Sequence, residues 1–254
     1  MEKVITIALA SLREAIRDRI LYTLFLFALA IMALSHVVDS LVFAQKAKIV
    51  KDIGLGGISI TGLLIAIAIS ASIFLKDVRG LRGCALLSKP ISRAQFVLGK
   101  YLGALITLGV IVVLMGCIVM ADAGVMEGKL DRNLMVGVSL IFVELSVIVA
   151  FGLFFSTFCA PITSGCLTFA VYVLGHVTHT VGGPESLDGF SLSQVIYGVL
   201  SLFPNLERFN LKADVVYDTL PAWQYLLSLT LYGAMYVCVA LFLAWLVTRK
   251  RDIK

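Results

Sequence analysis

Long apolar stretches alternate with short charged clusters along the whole chain. A helix that crosses the hydrocarbon core of a bilayer needs about 20 mostly apolar residues. Six stretches reach that length, at about residues 20–42, 53–75, 94–121, 133–158, 162–182 and 222–248. All five prolines lie at or beyond the edges of the uncharged runs, which suits unbroken helices. The pattern therefore predicts an all-α polytopic membrane protein with six transmembrane helices in one domain, residues 1–254.

Composition agrees with this pattern and excludes several classes of protein. Hydrophobic residues make up 60% of the 254, charged residues only 15%, and the mean hydropathy is +1.00. These values do not fit an ordinary soluble enzyme, a disordered chain or a secreted disulfide scaffold. The five cysteines have no C-x-x-C spacing, and most fall in the predicted spans, where we expect them to pack as small apolar groups.

The distribution of Lys and Arg predicts the orientation. With six spans and a cytoplasmic amino terminus, fourteen of the 21 basic residues lie inside, which is the side that the positive-inside rule favours. Both termini are then cytoplasmic, and the expected location is the inner (cytoplasmic) membrane. A seventh span would send the basic tail outward, so we interpret 193–203 as a short outer-surface helix within the outer loop 183–221. One basic cluster, Lys46, Lys48 and Lys51, falls on the outer side against the rule.

Residues 1–19 are predicted to form an amphipathic elbow helix. Ile5, Leu9, Leu12 and Ile16 recur at helical spacing on one side, and charged residues occupy the other. A helix of this kind lies in the headgroup layer with its basic residues toward anionic lipid. It is either an anchor to the membrane surface alone or an elbow that also contacts a cytoplasmic partner.

The inner segment 76–90 and the residues after it carry the strongest local signals. Pro90 disfavours helix at the residue before it and enforces a turn. Ser92 and Gln95 have the spacing of a capping box, which predicts the start of the third span there. The segment is thus expected to be a stiff, basic corner with two leucines near its turn. It could serve as a docking surface, or it could be a basic connector that only obeys the positive-inside rule.

This corner resembles the signature of ABC-2-type transporter permeases. The matching residues are Asp77, Gly83, Leu86-Leu87-Ser88-Lys89-Pro90-Ile91-Ser92-Arg93 and Leu98-Gly99-Lys100-Tyr101-Leu102-Gly103. Two further stretches are similar to the branch of that family that serves nitrous-oxide-reductase maturation, namely Phe203-Pro204-Asn205-Leu206-Glu207-Arg208-Phe209-Asn210 and Arg249-Lys250-Arg251-Asp252.

The resemblance implies a half-transporter that works with a separate ATPase subunit. The helix between spans two and three would be the coupling helix, seated in a groove of that ATPase. The residues expected at or near this interface are Asp77, Arg79, Arg82, Gly83, Leu86, Leu87, Pro90 and Arg93. A second permease copy would complete the transporter, and export is the expected direction of transport. An extracytoplasmic protein would be a further partner.

The sequence lacks the motifs that would make the chain itself an enzyme. No G-x-x-x-x-G-K-[ST] motif occurs, so ATP and magnesium would bind the partner, and no cofactor is expected in this chain. No arrangement of catalytic residues suggests chemistry on a substrate. Membrane lipid is an expected partner, and nucleic acid is not.

Glu144 is the charged residue that interrupts the fourth predicted span. A charge there costs about 2.5–3.5 kcal/mol on insertion scales, so the side chain should face protein or water. It either lines a translocation path or serves as a protonation switch, or else it joins two helices as a neutral acid through a hydrogen bond. His176 and His179 are weak metal-ligand candidates, and hydrogen bonding within the bundle is the commoner use of such histidines.

Two remaining features allow more than one interpretation. Gly99 and Gly103 form a small-residue strip that predicts close helix packing, within one subunit or between two. The outer loop 183–221 is expected to fold against the bundle as an exit gate. Two other functions stay open: an ion-coupled secondary transporter that uses Glu144 and works alone, or a membrane anchor of an assembly complex that transports nothing.

Overall fold

The structure is a computed structural model that describes residues 6–12, 26, 29, 30, 33, 46–79, 92–128, 131–177 and 203–250. Every regular element in these ranges is helical. The helices are α1 (Lys46–Arg79), α2 (Arg93–Glu127), α3 (Arg132–Ser156), α4 (Pro161–Val177), a 3₁₀ turn (Leu206–Phe209), α5 (Lys212–Val216) and α6 (Trp223–Lys250). Helices α1, α2, α3 and α6 are long and apolar enough to cross a membrane. Helix α4 is apolar but shorter within the described residues.

Helix α3 forms the centre of the bundle. It contacts α1, α2, α4, α5, α6 and the 3₁₀ turn, and its buried residues point in all directions. A helix that is hydrophobic all round is expected in such a position. The packed interior lies where α3 meets α1 and α2, around Leu55, Ile58, Leu108, Ile141 and Leu145. Glu144 is therefore carried by the element with the most neighbours.

Helix α6 presents a continuous apolar surface to the outside of the described bundle. Leu227, Leu231, Met235 and Val239 follow one another at intervals of four residues, and all four are exposed, with Leu231 at 64%. A water-exposed helix face normally carries polar residues. A stripe of this composition suits contact with lipid tails or with another apolar helix.

Helices α1, α2 and α3 alternate in direction, so that the bundle has two distinct ends. The Asp131 end holds the start of α1 and α3 and the end of α2, and Lys51 contacts Asp131 there. The Ser92 end holds the start of α2 and the end of α6, where the Arg93 guanidinium donates to the backbone carbonyls of Thr248 and Arg249. The sequence-based topology would make the Asp131 end the outer one.

Helix α1 begins earlier than the apolar pattern predicts. The second span was expected from residue 53, with Lys46, Lys48 and Lys51 in an outer loop, but the helix starts at Lys46. Lys51 is buried, and its ammonium donates to Asp131 at 2.6 Å. The helix continues through a charged residue here because the charge has a partner from α3.

The start of α2 confirms the capping box expected from the sequence. The Ser92 hydroxyl accepts from the Gln95 amide, and the Gln95 side chain accepts from the Ser92 amide, each at 3.3 Å. Helix α1 ends at Arg79 on the other side of the corner. The rest of the corner, residues 80–91, lies outside the described residues. So do 193–202 of the expected outer helix and most of the expected first span.

Candidate functional site

Glu144 lies fully inside the described bundle. Its residue is 1% exposed, and its Oε1 atom has no hydrogen-bond partner among the described residues. It is the thirteenth residue of α3, which places it about 18 Å along the helix from the Asp131 end. The expectation that Glu144 faces protein rather than lipid is met by this burial. An unpaired buried carboxylate oxygen is costly, so its surroundings need an explanation.

His176, on α4, approaches Glu144 together with a second carboxylate. Its Nε2 atom lies 3.6 Å from Oε1 of Glu144 and 3.8 Å from Oε2 of Glu207. On the other side of the ring, Nδ1 lies 3.1 Å from the backbone carbonyl oxygen of Tyr172. The Tyr172 ring also contacts the imidazole, with 4.4 Å between ring centroids. We call Glu144, His176 and Glu207 the carboxylate–histidine cluster.

Glu207 reaches this cluster because the 3₁₀ turn inserts into the bundle. Leu206 and Phe209 are fully buried between α3, α4 and α6, and the Asn205 amide donates to the Tyr232 hydroxyl of α6 at 2.9 Å. Glu207 itself accepts from the Asn210 side chain at 2.8 Å through Oε1, which leaves Oε2 facing the histidine. The turn is only partly enclosed by the described helices, because Leu206 and Phe209 are buried whereas Arg208 is exposed and the Glu207 side chain is 34% exposed.

Gly175 provides the space for the turn on α4. A Cβ atom at this position would come within 2.8 Å of the Pro204 carbonyl oxygen and within 2.7 Å of the Leu206 side chain. Gly233 on α6 faces both α3 and the turn, since a Cβ there would lie 2.9 Å from the Val143 side chain and 3.3 Å from the Phe209 ring. The turn can thus approach both helices more closely than a side chain would permit. This close packing brings Glu207 to the same nitrogen of His176 that Glu144 faces.

A second buried ionic pair lies at the Asp131 end. Lys51 is 3% exposed and the Asp131 side chain 13% exposed, and their 2.6 Å contact is a charge-assisted hydrogen bond. Asp131 also caps α3 by accepting from the Asn133 amide at 2.9 Å. Burial alone would raise the pKa of Asp131, but the bonds from Lys51 and the Asn133 amide outweigh it and hold the pKa below its ordinary value.

The coupling residues expected from the resemblance are only partly described. Arg93 is half-buried and binds the end of α6, which ties the corner to the last helix of the bundle. Asp77 and Arg79 lie in the last turns of α1, where the structure describes the helix but not these side chains. Arg82, Gly83, Leu86, Leu87 and Pro90 lie outside the described residues.

The small-residue strip contacts the amino-terminal segment. Residues 6–12 are helical, and a Cβ atom at Gly103 would lie 2.9 Å from the Ala8 carbonyl oxygen and 2.6 Å from Ser11. Gly99 is buried on the same helix. The close approach at Gly103 is therefore made within one chain, by part of the expected elbow helix.

Of the two histidines considered as metal ligands, only His176 is described, and His179 lies outside the described residues. No group of three or more His, Cys, Asp or Glu side chains among the described residues has the geometry of a metal site. His176 faces Glu144 and Glu207 through Nε2 and the Tyr172 carbonyl oxygen through Nδ1. Its weak candidacy as a metal ligand stays a prediction.

Sequence reasoning missed two of the residues that matter most here. Glu207 was named only as part of the resemblance stretch 203–210, with no role of its own, because nothing local shows that the 3₁₀ turn packs against the bundle. Lys51 was seen only as an exception to the charge rule. That exception was itself the available signal, together with Asp131 directly before an apolar run, which is the N-cap pattern of a helix.

The comparisons with known proteins add a family assignment. Among curated proteins, none matches this sequence. A family profile matches residues 57–254, which include α2 to α6 and most of α1. The chain therefore belongs to the family DUF2705, described as a protein of unknown function.

Proposed function

We propose that this chain is the membrane permease subunit of an ATP-driven transporter of the ABC-2 type. The resemblance implies that the transporter exports its substrate and that the chain has six spans and cytoplasmic termini. The observation that carries the proposal is the signature of the corner, residues 77–103, which contains the Ser92 capping box. A separate ATPase subunit would supply hydrolysis, and a second permease copy would complete the unit in the cytoplasmic membrane.

The corner is suited to transmit motion. The capping box fixes the direction in which α2 begins, and Arg93 joins that start to the end of α6. Closure of two ATPase subunits on nucleotide would push the corners of two permeases together. Because α2 and α6 are linked there, the displacement would reach both helices and bias an inward-open against an outward-open arrangement.

Charge reversal at the corner tests this proposal. Arg79→Glu with Arg82→Glu should release the ATPase subunit from the purified complex, since both residues are expected at the contact. Lys129→Glu, in the short connection after α2, is the matched control and should leave the complex intact. Normal co-purification and nucleotide hydrolysis of the double variant, with normal membrane insertion, would contradict the proposal.

The side of the membrane is testable through Cys84. In a variant whose other four cysteines are replaced, a membrane-impermeant maleimide should label Cys84 only after cells are opened. Labelling in intact cells would place the corner outside and would contradict any role for a cytoplasmic ATPase.

A second candidate is an ion-coupled transporter that works without an ATPase. The carboxylate–histidine cluster favours it, because a buried acid such as Glu144 beside a histidine is typical of proton pathways. The two candidates differ in energy source. Transport that persists when the partner's ATPase is inactivated, but stops when the proton gradient is dissipated, would favour the second.

A further inference from the structure

We propose that Glu144, His176 and Glu207 form a proton-binding site that fastens the 3₁₀ turn to the bundle when it is occupied. The proposal concerns the cluster alone and does not depend on how the chain is energised. It can therefore succeed or fail separately from the proposed ATPase partner.

The hydrogen-bonding partner of Nδ1 of His176 determines which nitrogen of the neutral ring carries the hydrogen, and therefore which one lacks it. The carbonyl oxygen of Tyr172 can only accept a hydrogen bond, so Nδ1 of His176 must carry a hydrogen to bind it. In a neutral imidazole the other nitrogen, Nε2, then carries only a lone pair. Nε2 is the atom that faces Glu144 and Glu207. Three acceptor atoms thus face one another with no donor between them.

One proton removes this conflict. Transferred from water to the lone pair of Nε2, it makes the imidazole a donor and a cation between two carboxylates. Alternatively, it resides on one carboxyl group and is donated to Nε2. The proton belongs to the cluster in either case, as expected for closely coupled titratable groups. It also supplies Oε1 of Glu144 with the partner that it lacks.

Charged and titratable groups reach the neighbourhood of the cluster from several elements. Helix α5 contributes Lys212, whose positive charge acts on Glu144. Helix α4 adds Tyr172, which bonds to Ser59 of α1. Helix α6 adds Tyr232 and Tyr236, and Arg208 of the turn lies over the Tyr232 ring at 5.5 Å. Lys212 thus supplies a positive charge near Glu144, and the group that the cluster lacks is a hydrogen-bond donor between its three acceptor atoms.

The proton would control the turn because the two acids belong to different elements. Glu144 is fixed in α3, whereas Glu207 belongs to the inserted turn. With the proton bound, His176 interacts favourably with both acids. It thereby holds the 3₁₀ turn in the space beside Gly175, which we call the Gly175 notch. Without it, the Nε2 lone pair lies within 4 Å of an oxygen of each carboxylate, and these contacts repel. The occupied site is thus a latch for segment 203–216.

The state of the His176 ring gives the direct test. The full chain, in lipid bilayers with a chelator present and with His36→Asn and His179→Asn, carries ¹⁵N-labelled His176 as its single histidine. Nitrogen NMR from about pH 5 to about pH 8 should show Nδ1–H in the neutral ring and proton uptake at Nε2. A neutral ring with Nε2–H, or a ring that takes up no proton over that range, would overturn the proposal.

Removing either carboxylate should weaken proton binding at the ring by about tenfold or more. Glu144→Gln and Glu207→Gln are the test variants, and Asp52→Asn, an exposed acid on α1, is the control that should leave binding unchanged. The wild-type ring measurement stands even if a variant does not fold. Equal proton binding in all three variants would show that the acids do not contribute to the site.

The latch has its own readout in backbone hydrogen exchange. After correction for the intrinsic effect of pH, amides of residues 205–216 should exchange several-fold more slowly at about pH 6 than at about pH 8. His176→Gln should abolish this difference, while amides near Asp131 stay unaffected. A proton-binding ring with no change in exchange would overturn the latch.

Discussion

Two buried ionic groups in this bundle differ in how completely they are paired. Lys51 and Asp131 meet at 2.6 Å, and Asp131 has a second donor in the Asn133 amide. In the carboxylate–histidine cluster, Nε2 of His176 lies 3.6 and 3.8 Å from the nearest carboxylate oxygens, and one oxygen of Glu144 has no hydrogen-bond partner among the described residues. Lys51 and Glu144 both lie where desolvation makes an unpaired charge expensive.

The difference indicates different roles. A complete pair between the first turns of α1 and the cap of α3 fixes the relative position of two helices. An incomplete cluster between a helix and an inserted turn has room for one more proton. Burial alone therefore does not identify a functional site, and the pairing of each polar atom has to be examined.

The largest effect is expected from removing the charge of Lys51. Lys51→Met keeps most of the buried side chain but leaves Asp131 without its cation, which should lower the free energy of unfolding by about 2–3 kcal/mol. Arg132→Met, at an exposed neighbour of Asp131, should cost much less. Denaturation in detergent followed by circular dichroism measures both.

A double variant checks the reason for this loss. Lys51→Met with Asp131→Asn has no unpaired charge, so it should recover part of the stability. If the double variant is less stable than Lys51→Met, the unpaired charge is not the cause.

The next effect concerns the turn beside the cluster. Gly175→Ala places a Cβ against the Pro204 carbonyl oxygen, which should destabilise the protein by about 2 kcal/mol. Gly56→Ala is the matched control, because no atom lies within 4 Å of a Cβ there. That variant should be neutral or more stable by up to about 1 kcal/mol. Equal stability of both variants would show that the turn does not need the notch.

A smaller effect is expected in the stability of the protein at acid pH. The pKa of Asp131 is lowered by folding, so its contribution is present above the ordinary value of 3.8 and is lost as the pH falls below it. The stability difference between wild type and Asp131→Asn should therefore narrow under acid conditions. Unfolding at a series of pH values measures it, and a constant difference would contradict the lowered pKa.

The smallest effect is expected at Glu144. Glu144→Gln replaces an acceptor with an amide that can donate to Nε2 of His176, so at about pH 8 it should raise the free energy of unfolding by up to about 1 kcal/mol. If the folded cluster binds a proton that the unfolded chain does not, wild-type stability falls as pH rises. The variant should show a flatter dependence, and parallel curves would contradict proton binding by the cluster.

The apolar pattern was sufficient to predict the long helices but not their partners. Helices α2, α3 and α6 begin within one residue of the expected spans, and Ser92 starts α2 as its spacing predicted. These features depend on local sequence: run length, N-cap chemistry and flanking charge. Helix α1 began earlier than expected, because its first turns depend on Asp131, eighty residues away.

The candidate site was predictable only in part for the same reason. Glu144 could be identified because a lone acid in an apolar span is unusual. That Glu207 lies near the same histidine depends on a turn that packs against Gly175 and Gly233, and neither glycine has a distinguishing local pattern. The distance between His176 and Glu207 is thus set by tertiary packing, which hydropathy does not record.

Crosslinking from the corner tests the proposed ATP-driven permease most directly. A photoreactive residue at Leu86, in the full chain expressed in its host membrane, should attach to a protein that carries a G-x-x-x-x-G-K-[ST] motif. The same residue in place of Lys129 should not. Adducts with lipid alone at Leu86, in membranes where the chain is inserted and folded, would contradict a nucleotide-driven partner at this corner.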